Sequence, residues 1–283
     1  LAEIHLPPQV ETIEVILNDY GTRNNAVLYQ RQFGDRQRNW VNADDLIDII
    51  PAEKIEDPTF ATAYRIPNVT FGADLATRFS LFDPDKPLRY QVLLNLSASA
   101  DLGNNFSLYA SYNLDIDNDF DTISRGAESD VVPHVRTDIA RYLKEGDTGL
   151  DSLFVQKRGN LARDLYYRAY SGILEEMYAG VGGELLYSPF SSRLAFGFNL
   201  NWVKQRDYDK DFDLLDYSVL TGHISAYWAT PWYNYDVAVH AGRYLAKDKG
   251  LTFEVRRTFD NGWQMGAFAT FTNVSAEDFG EGS

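Results

Sequence analysis

RLAFGFNLNWV, residues 193–203, decides the fold. Leu194, Phe196, Phe198, Leu200 and Trp202 alternate with Ala195, Gly197, Asn199, Asn201 and Val203. A period of two places the first set on one face of an extended strand and the second on the other. The first face is bulky and apolar. The second carries small or amide-bearing residues rather than the Lys and Glu of a water-washed sheet exterior. The same alternation recurs on both sides of this stretch. Val69, Phe71, Ala73, Leu75, Phe79 and Leu81 oppose Gly72, Asp74, Arg78 and Ser80, and Tyr90, Val92, Leu94 and Leu96 oppose Arg89, Gln91, Asn95 and Ser97. Further strands are expected over 106–115, 151–158, 161–173, 177–187, 216–229, 233–246, 251–259 and 263–273, giving eleven.

Alternation alone also describes a soluble sandwich or a lipocalin-like barrel. Strand length separates the possibilities, because these runs suit the ~9–11 residues of a tilted membrane-crossing strand better than the soluble mode of ~5–6. The 283-residue chain holds no run of 18 apolar residues, so a span must be β. Connection lengths point the same way. DLGNN (101–105), Gly159-Asn160, SPFSS (188–192), TPW (230–232) and Asp260-Asn261-Gly262 are short, whereas the opposite set holds the long acidic segment 116–150 and RDYDKDFDLLD (206–216), although its member DPDKP (83–87) is short as well. Outer-membrane barrels pair short periplasmic turns with longer outer loops. The expected fold is therefore mainly β: an up-and-down antiparallel transmembrane β-barrel over 66–283, of about twelve strands. Barrels of this kind close on an even number, so a last strand is expected beyond Ser283. Residues 1–65 differ. VETIEVILND and NAVLYQRQF flank a turn at YGTRNN, and NADDLIDIIP suggests a short helix capped by Asn42 and ended by Pro51. This segment is expected to be a small periplasmic α/β module with a Pro-containing linker.

A net charge of −15 argues against nucleic-acid binding, which needs a basic surface. The absence of cysteine excludes disulfides, thiol catalysis and thiolate metal sites. The candidate site is the polar face of the strands: Asp74, Arg78, Arg89, Gln91, Asn95, Glu184, Asn199, Asn201, His223, Asp236, His240, Glu254, Arg256 and Gln264. Arginines there could hold acid groups of a glycan while amides and aromatic faces hold hydroxyls and rings; mutual ion pairing that fills the interior is the alternative. His223 and His240 flank the TPW turn and are expected to face each other, with Ser225 and Asp236 on the same side. A Ser/His/Asp hydrolase site needs such groups in contact, but an ordinary hydrogen-bond network uses the same residues. DIDNDFD spaces Asp115, Asp117, Asp119 and Asp121 two apart, yet Phe120 and Gly126 stand where a calcium loop needs Gly and Glu. A solvated acidic loop is the expectation, with no metal or cofactor. Arg243, Lys247 and Lys249 cluster where lipopolysaccharide phosphates could meet them.

HVRTDIARYLKEGDTGLDSL (134–153) and MYAGVGGELLYSPFSSRLAFGFNLNWVKQRDYD (177–209), together with TGHISAYWATPWY, GRYLAKDKG, RRTFDNGW and NVSAEDFGEGS, resemble the YjbH/GfcD-type family of outer-membrane proteins. That family is linked to exopolysaccharide and capsule production. The resemblance covers roughly residues 66–283 and supplies no catalytic motif. It implies a non-enzymatic barrel in the bacterial outer membrane serving polysaccharide export or assembly. Its implied partners are membrane lipid, lipopolysaccharide, the polysaccharide and other components of the export system. A membrane-embedded hydrolase or lipid-modifying enzyme, and a scaffold for periplasmic partners, are the other classes the sequence allows.

Overall fold

The computed structural model describes residues 9–19, 22–30, 47–51, 69–81, 86–120, 132–136, 138–162, 164–190 and 192–275. The chain divides into two compact units, Leu1–Ile66 and Pro67–Ser283. In the first, β1 (Thr12–Asp19), β2 (Thr22–Gln30) and β3 (Ile47–Pro51) form an antiparallel sheet in the order β1-β2-β3, with Ala26 fully buried. The helix expected to end at Pro51 is corrected over 47–51. That stretch is a strand, with Val27 facing Ile49 and Ala26 facing Ile50. The β-branched run Ile47, Ile49 and Ile50 fits a pleated surface better than a helix. The start of that expected helix, 42–46, and the linker 52–65 lie outside the described residues.

The second unit is the eleven-stranded sheet that the alternation predicts. Its strands are β4 (Val69–Leu81), β5 (Leu88–Gly103), β6 (Phe106–Asn118), β7 (Gly149–Ala162), β8 (Leu165–Ile173), β9 (Tyr178–Tyr187), β10 (Leu194–Arg206), β11 (Leu214–Ala229), β12 (Tyr235–Arg243), β13 (Lys249–Thr258) and β14 (Gln264–Thr272). Each pairs antiparallel with its neighbours in sequence, in unbroken order from β4 to β14. Among the described residues β4 and β14 are not paired with each other, so the sheet has two edges. It is nevertheless curled. Arg78 on the edge strand β4 reaches Glu176, in the connection between β8 and β9, at 3.2 Å. At ~4.8 Å per strand those positions would stand roughly 20 Å apart on a flat sheet, so the ion pair requires the sheet to bend toward the face that carries Arg78.

One face is apolar and open. Phe71 is 83% exposed, Leu75 70% and Ile224 67%, and Phe196, Phe198, Leu200 and Trp202 are all exposed. At the end of the sheet with short turns, Tyr187, Trp228, Trp232, Tyr233 and Trp263 form an exposed aromatic rim, with Trp228 and Trp232 edge to face at 5.6 Å. The other end carries the longer connections 119–148 and 207–213, although 174–177 and 244–248 are as short as the turns opposite.

Three expectations about the connections are corrected. The turn placed at Gly159-Asn160 falls later: β7 runs on to Ala162, and Asp164 takes the left-handed conformation (φ 55). Gly159 instead pairs with Tyr167, whose ring would stand 3.1 Å from an added Cβ; the glycine makes room for a side chain rather than a bend. The segment taken to loop from Ile116 is still strand up to Asn118. Finally, the β11–β12 turn centres on Tyr233 and Asn234, both left-handed (φ 47 and 55), so the register moves. His240 faces Ser225 and His223 faces Gly242, rather than the two histidines facing each other.

The long connection is not simply an acidic loop. It contains α1 (Ile139–Glu145), which folds back over the polar-face side of the sheet. Ile139, Tyr142 and Leu143 share one side of this helix at the i, i+3, i+4 spacing. Tyr142 and Val135 pack into a cluster with Met177, Tyr178, Val203, Val219 and Ala246. The polar face thus turns apolar at its long-connection end, where this segment covers it.

Candidate functional site

Register places every sequence-predicted site residue on one face. Asp74 faces Asn95 and Arg78 faces Gln91; Glu184 faces Asn199; Asn199 faces His223; His240 faces Thr252 and Asp236 faces Arg256. The side chains nevertheless fall into separate groups. Arg89 and Gln91 are buried at 1% exposure. Arg89 donates to the Asp119 carbonyl at 3.0 Å, and Gln91 Nε2 donates to Asp115 Oδ1 at 2.8 Å. Asn95 donates to Ser111 Oγ (2.8 Å) and Asn113 Oδ1 (2.6 Å), and Asn113 donates on to Asp151 (3.2 Å). Hydrogen bonds of this kind fix the rotamers of buried amides, although the Gln91 Oε1 is buried without a partner among the described residues.

A second group lies mid-sheet. Arg168 Nε donates to Gln156 Oε1 at 2.7 Å, and its Nη1 stands 3.7 Å from Glu184. Tyr170 Oη lies 2.5 Å from Asn201 Oδ1 and 3.2 Å from Glu184 Oε1. Sequence reasoning named Glu184, Asn199 and Asn201 here but missed Arg168 and Tyr170. Their signal was the alternation of LYYRAYSGI itself, in which both share the phase of Tyr166 and Gly172.

The histidines form a third group. Ser225 Oγ and His240 Nδ1 are hydrogen-bonded at 2.8 Å, while His223 Nδ1 lies 3.4 Å from Asn199 and stacks edge-on against Tyr244. Asp236 does not complete a triad, because it lies 3.6 Å from Arg256. Ser225 is 2% exposed, which leaves its hydroxyl little access to a substrate. Glu254, Arg256 and Gln264 line a recess beside the edge strand β14, with Phe268.

The acidic DIDNDFD run does not converge. Asp115 accepts from Gln91, Asp117 from the Tyr90 hydroxyl (2.8 Å), and Asp119 from Lys86 and the Tyr90 backbone N–H. These carboxylates alternate along a strand and bond to the next one. Asp121 and Gly126 lie outside the described residues.

The strongest polar assembly was not visible in the sequence. Arg206 is fully buried, and its guanidinium donates to the carbonyls of Leu150 (2.8 Å), Glu175 (3.2 Å), Glu176 (3.1 Å), Lys210 and Asp211 (3.1 Å). Its own carbonyl accepts the Tyr142 hydroxyl of α1. The guanidinium therefore ties two connections, 174–177 and 207–213, to the start of β7, and the backbone beside it holds the helix. Strict alternation from Asn201 and Val203 would put Arg206 on the apolar face, but a register shift between Lys204 and Arg206 turns it aside. Burial pushes the Tyr142 hydroxyl well above its ordinary range, so it stays a donor. Beside the clamp, Glu176 accepts from both Arg78 and Lys210 (3.3 Å), and burial lowers the Lys210 ammonium despite that partner. On the helix, Arg141 lies over the Tyr208 ring at 3.6 Å and Tyr208 donates to Asp138 at 3.1 Å.

Fold and face together define a wide antiparallel meander with an exposed apolar surface and an opposite surface of arginine, amide and aromatic groups, one end of which a helix covers. The sequence profile of the family described as "Exopolysaccharide biosynthesis protein YbjH" matches residues 1–283, and the chain belongs to this YjbH family. A curated relative, "Uncharacterized lipoprotein YjbH" of Escherichia coli (strain K12), is 45% identical over 156 residues, covering 53% of this chain and 22% of the relative. The chain thus spans about a fifth of the length of the relative it matches.

Proposed function

We propose that the curled sheet is the wall of an outer-membrane β-barrel, and that the protein serves exopolysaccharide export or assembly without catalysing a reaction. The exposed apolar face carries this reading. A continuous band that includes Phe71, Leu75, Phe196, Leu200, Trp202 and Ile224 is far larger than a water-soluble surface tolerates, and hydrocarbon is the medium that suits it. The aromatic rim fits the headgroup level of a bilayer. On this reading the short turns and the three-stranded module face the periplasm. The curated relative is named a lipoprotein, which agrees with a place in the cell envelope. Closure of the wall requires both edges, β4 and β14, to be paired.

The test is fractionation and polymer output. The full-length protein is expected in outer-membrane fractions with heat-modifiable gel migration, and its deletion is expected to abolish surface exopolysaccharide. Recovery from the soluble periplasm, or unchanged polymer in the deletion strain, would overturn the proposal.

The Ser225–His240 hydrogen bond favours a second reading, a hydrolase acting within the membrane. Ser225→Ala separates the two: normal export is expected, whereas accumulation of an unprocessed glycan or lipid would support the enzyme.

A further inference from the structure

At the long-connection end of the polar face, beside the edge strand β14, lies a recess of about 510 Å³. That is within the usual size of a small-molecule site, ~300–1,000 Å³. Three pieces of chain build it: the 244–248 turn with Tyr244 and Asp248, the end of β14 with Thr270 and Thr272, and the folded-back segment with Val135. The Tyr244 N–H donates to the Asp248 carbonyl at 2.9 Å and Lys247 is left-handed (φ 68), so the turn fixes Tyr244 and Asp248 beside each other.

The polar groups here have hydrogen-bonding capacity left over. Asp248 is 6% exposed, yet its Oδ1 accepts no hydrogen bond among the described residues. A buried carboxylate oxygen without a donor is costly, and a ligand that brings a donor relieves that cost. Next to it runs a relay of hydroxyls: Tyr244 Oη lies 2.6 Å from Thr252 Oγ1, which lies 2.9 Å from Thr270 Oγ1. Three hydroxyls carry three donor hydrogens and these two bonds use two, so the relay keeps one donor to give, and its direction can reverse. Groups that can either give or take a hydrogen bond suit the hydroxyls of a sugar, which do the same. The charged residues of the lining are Arg136 and Asp248, and Arg136 is met by Glu175 at 2.8 Å. The Asp248 carboxylate is therefore the uncompensated charge of the lining, and it would repel an acid group. Val135 and Val274 offer an apolar surface to the C–H face of a sugar ring.

We propose that this recess binds a neutral sugar unit of the polysaccharide, with neighbouring hydroxyls donating to the Asp248 carboxylate and another joining the relay from Tyr244 to Thr270. This rests on the exopolysaccharide reading and specifies the chemistry of its cargo. The test titrates the full-length protein in detergent with neutral gluco-, galacto- and manno-oligosaccharides and with an oligoglucuronate of equal length. At least one neutral oligomer is expected to bind tenfold or more tighter than the oligoglucuronate, with an affinity that changes little as salt rises. Asp248→Asn removes a charge-assisted acceptor and is expected to lower that affinity at least tenfold. The same variant should keep or raise the denaturant midpoint, because an unsatisfied buried charge is gone; a purely structural Asp248 would lower the midpoint and leave affinity unchanged. Thr270→Val keeps the β-branched shape on the edge strand and should weaken binding severalfold. No binding of any neutral oligomer, equal or tighter binding of the oligoglucuronate, or unchanged affinity in both variants would each overturn the proposal. Polymer output of the deletion strain reports on the export reading separately: lost polymer with no neutral preference sinks only this site, whereas neutral preference with normal polymer sinks only the export role.

Discussion

Replacing Arg206 by alanine should release the connections 174–177 and 207–213 while leaving the sheet intact. The guanidinium holds five backbone carbonyls, four from these two connections and that of Leu150 at the start of β7, whereas the Arg206 carbonyl that accepts the Tyr142 hydroxyl is backbone and survives the substitution. Each buried carbonyl left dry costs about 1–3 kcal/mol. Water entering the emptied space re-satisfies some of them, so a net loss near that of two carbonyls, about 4 kcal/mol, is expected. At roughly 1.4 kcal/mol per decade this is a ~1,000-fold rise in local opening. The assay is amide hydrogen exchange, read at Glu175 and Lys210, whose N–H groups bond to the carbonyls of Tyr178 and Asp207. Exchange there should accelerate by that factor while the ladders of β11 to β13 hold their protection. Arg206→Lys should fall between, since an ammonium has three donors for five acceptors. Two results would refute the reasoning. Exchange within threefold of the parent protein would mean that the carbonyls do not depend on the clamp, and uniform acceleration along the strands would mean that the clamp supports the whole sheet.

Other consequences follow from the same geometry. Glu176→Gln removes the carboxylate between Arg78 and Lys210 and leaves the lysine desolvated, so stability should fall by roughly 3–5 kcal/mol, checked by denaturant unfolding. The Lys210 ammonium is depressed in the folded state, so the lysine opposes folding at neutral pH and this penalty fades as pH rises toward its ordinary value of 10.5; relative to Lys210→Met, the parent protein should gain stability as pH rises from neutral toward 10.5. Gly172→Ala should impair folding, because φ is +138° and the new Cβ would meet the Leu153 carbonyl oxygen at 2.3 Å; folded protein recovered at parental yield and denaturant midpoint would contradict it.

How much of this was legible in the sequence depended on which interactions set each feature. Strands were legible because alternation is local, and LAFGFNLNWV lies inside β10. Registers were not, because they depend on which turn residues go left-handed: Tyr233 and Asn234 do so beyond the more conspicuous Thr230-Pro231, and this alone moved His240 from His223 to Ser225. Capping and proline signals bracket Ile47–Pro51 and suggest a helix, whereas its β-branched residues answer to pairing with β2. The polar face could be listed residue by residue, but its division into separate networks follows from side chains such as Arg168 and Asn113 that bridge three strands. Arg206 escaped notice because a bulge breaks the parity that placed every other site residue. Helix α1 is seven residues long, too short for periodicity to stand out from the acidic segment around it.

Because each of the eleven strands is bonded only to its neighbours in sequence, the sheet has a modular grammar. Removing or duplicating one hairpin would leave every other pairing as it is and would change its width by two strands. Within a lineage, sheet width can therefore drift by whole hairpins without a new fold. The connections joined by Arg206 are the exception: a hairpin cannot be gained or lost there without rebuilding the clamp, so that sector should keep its strand count while the edges vary.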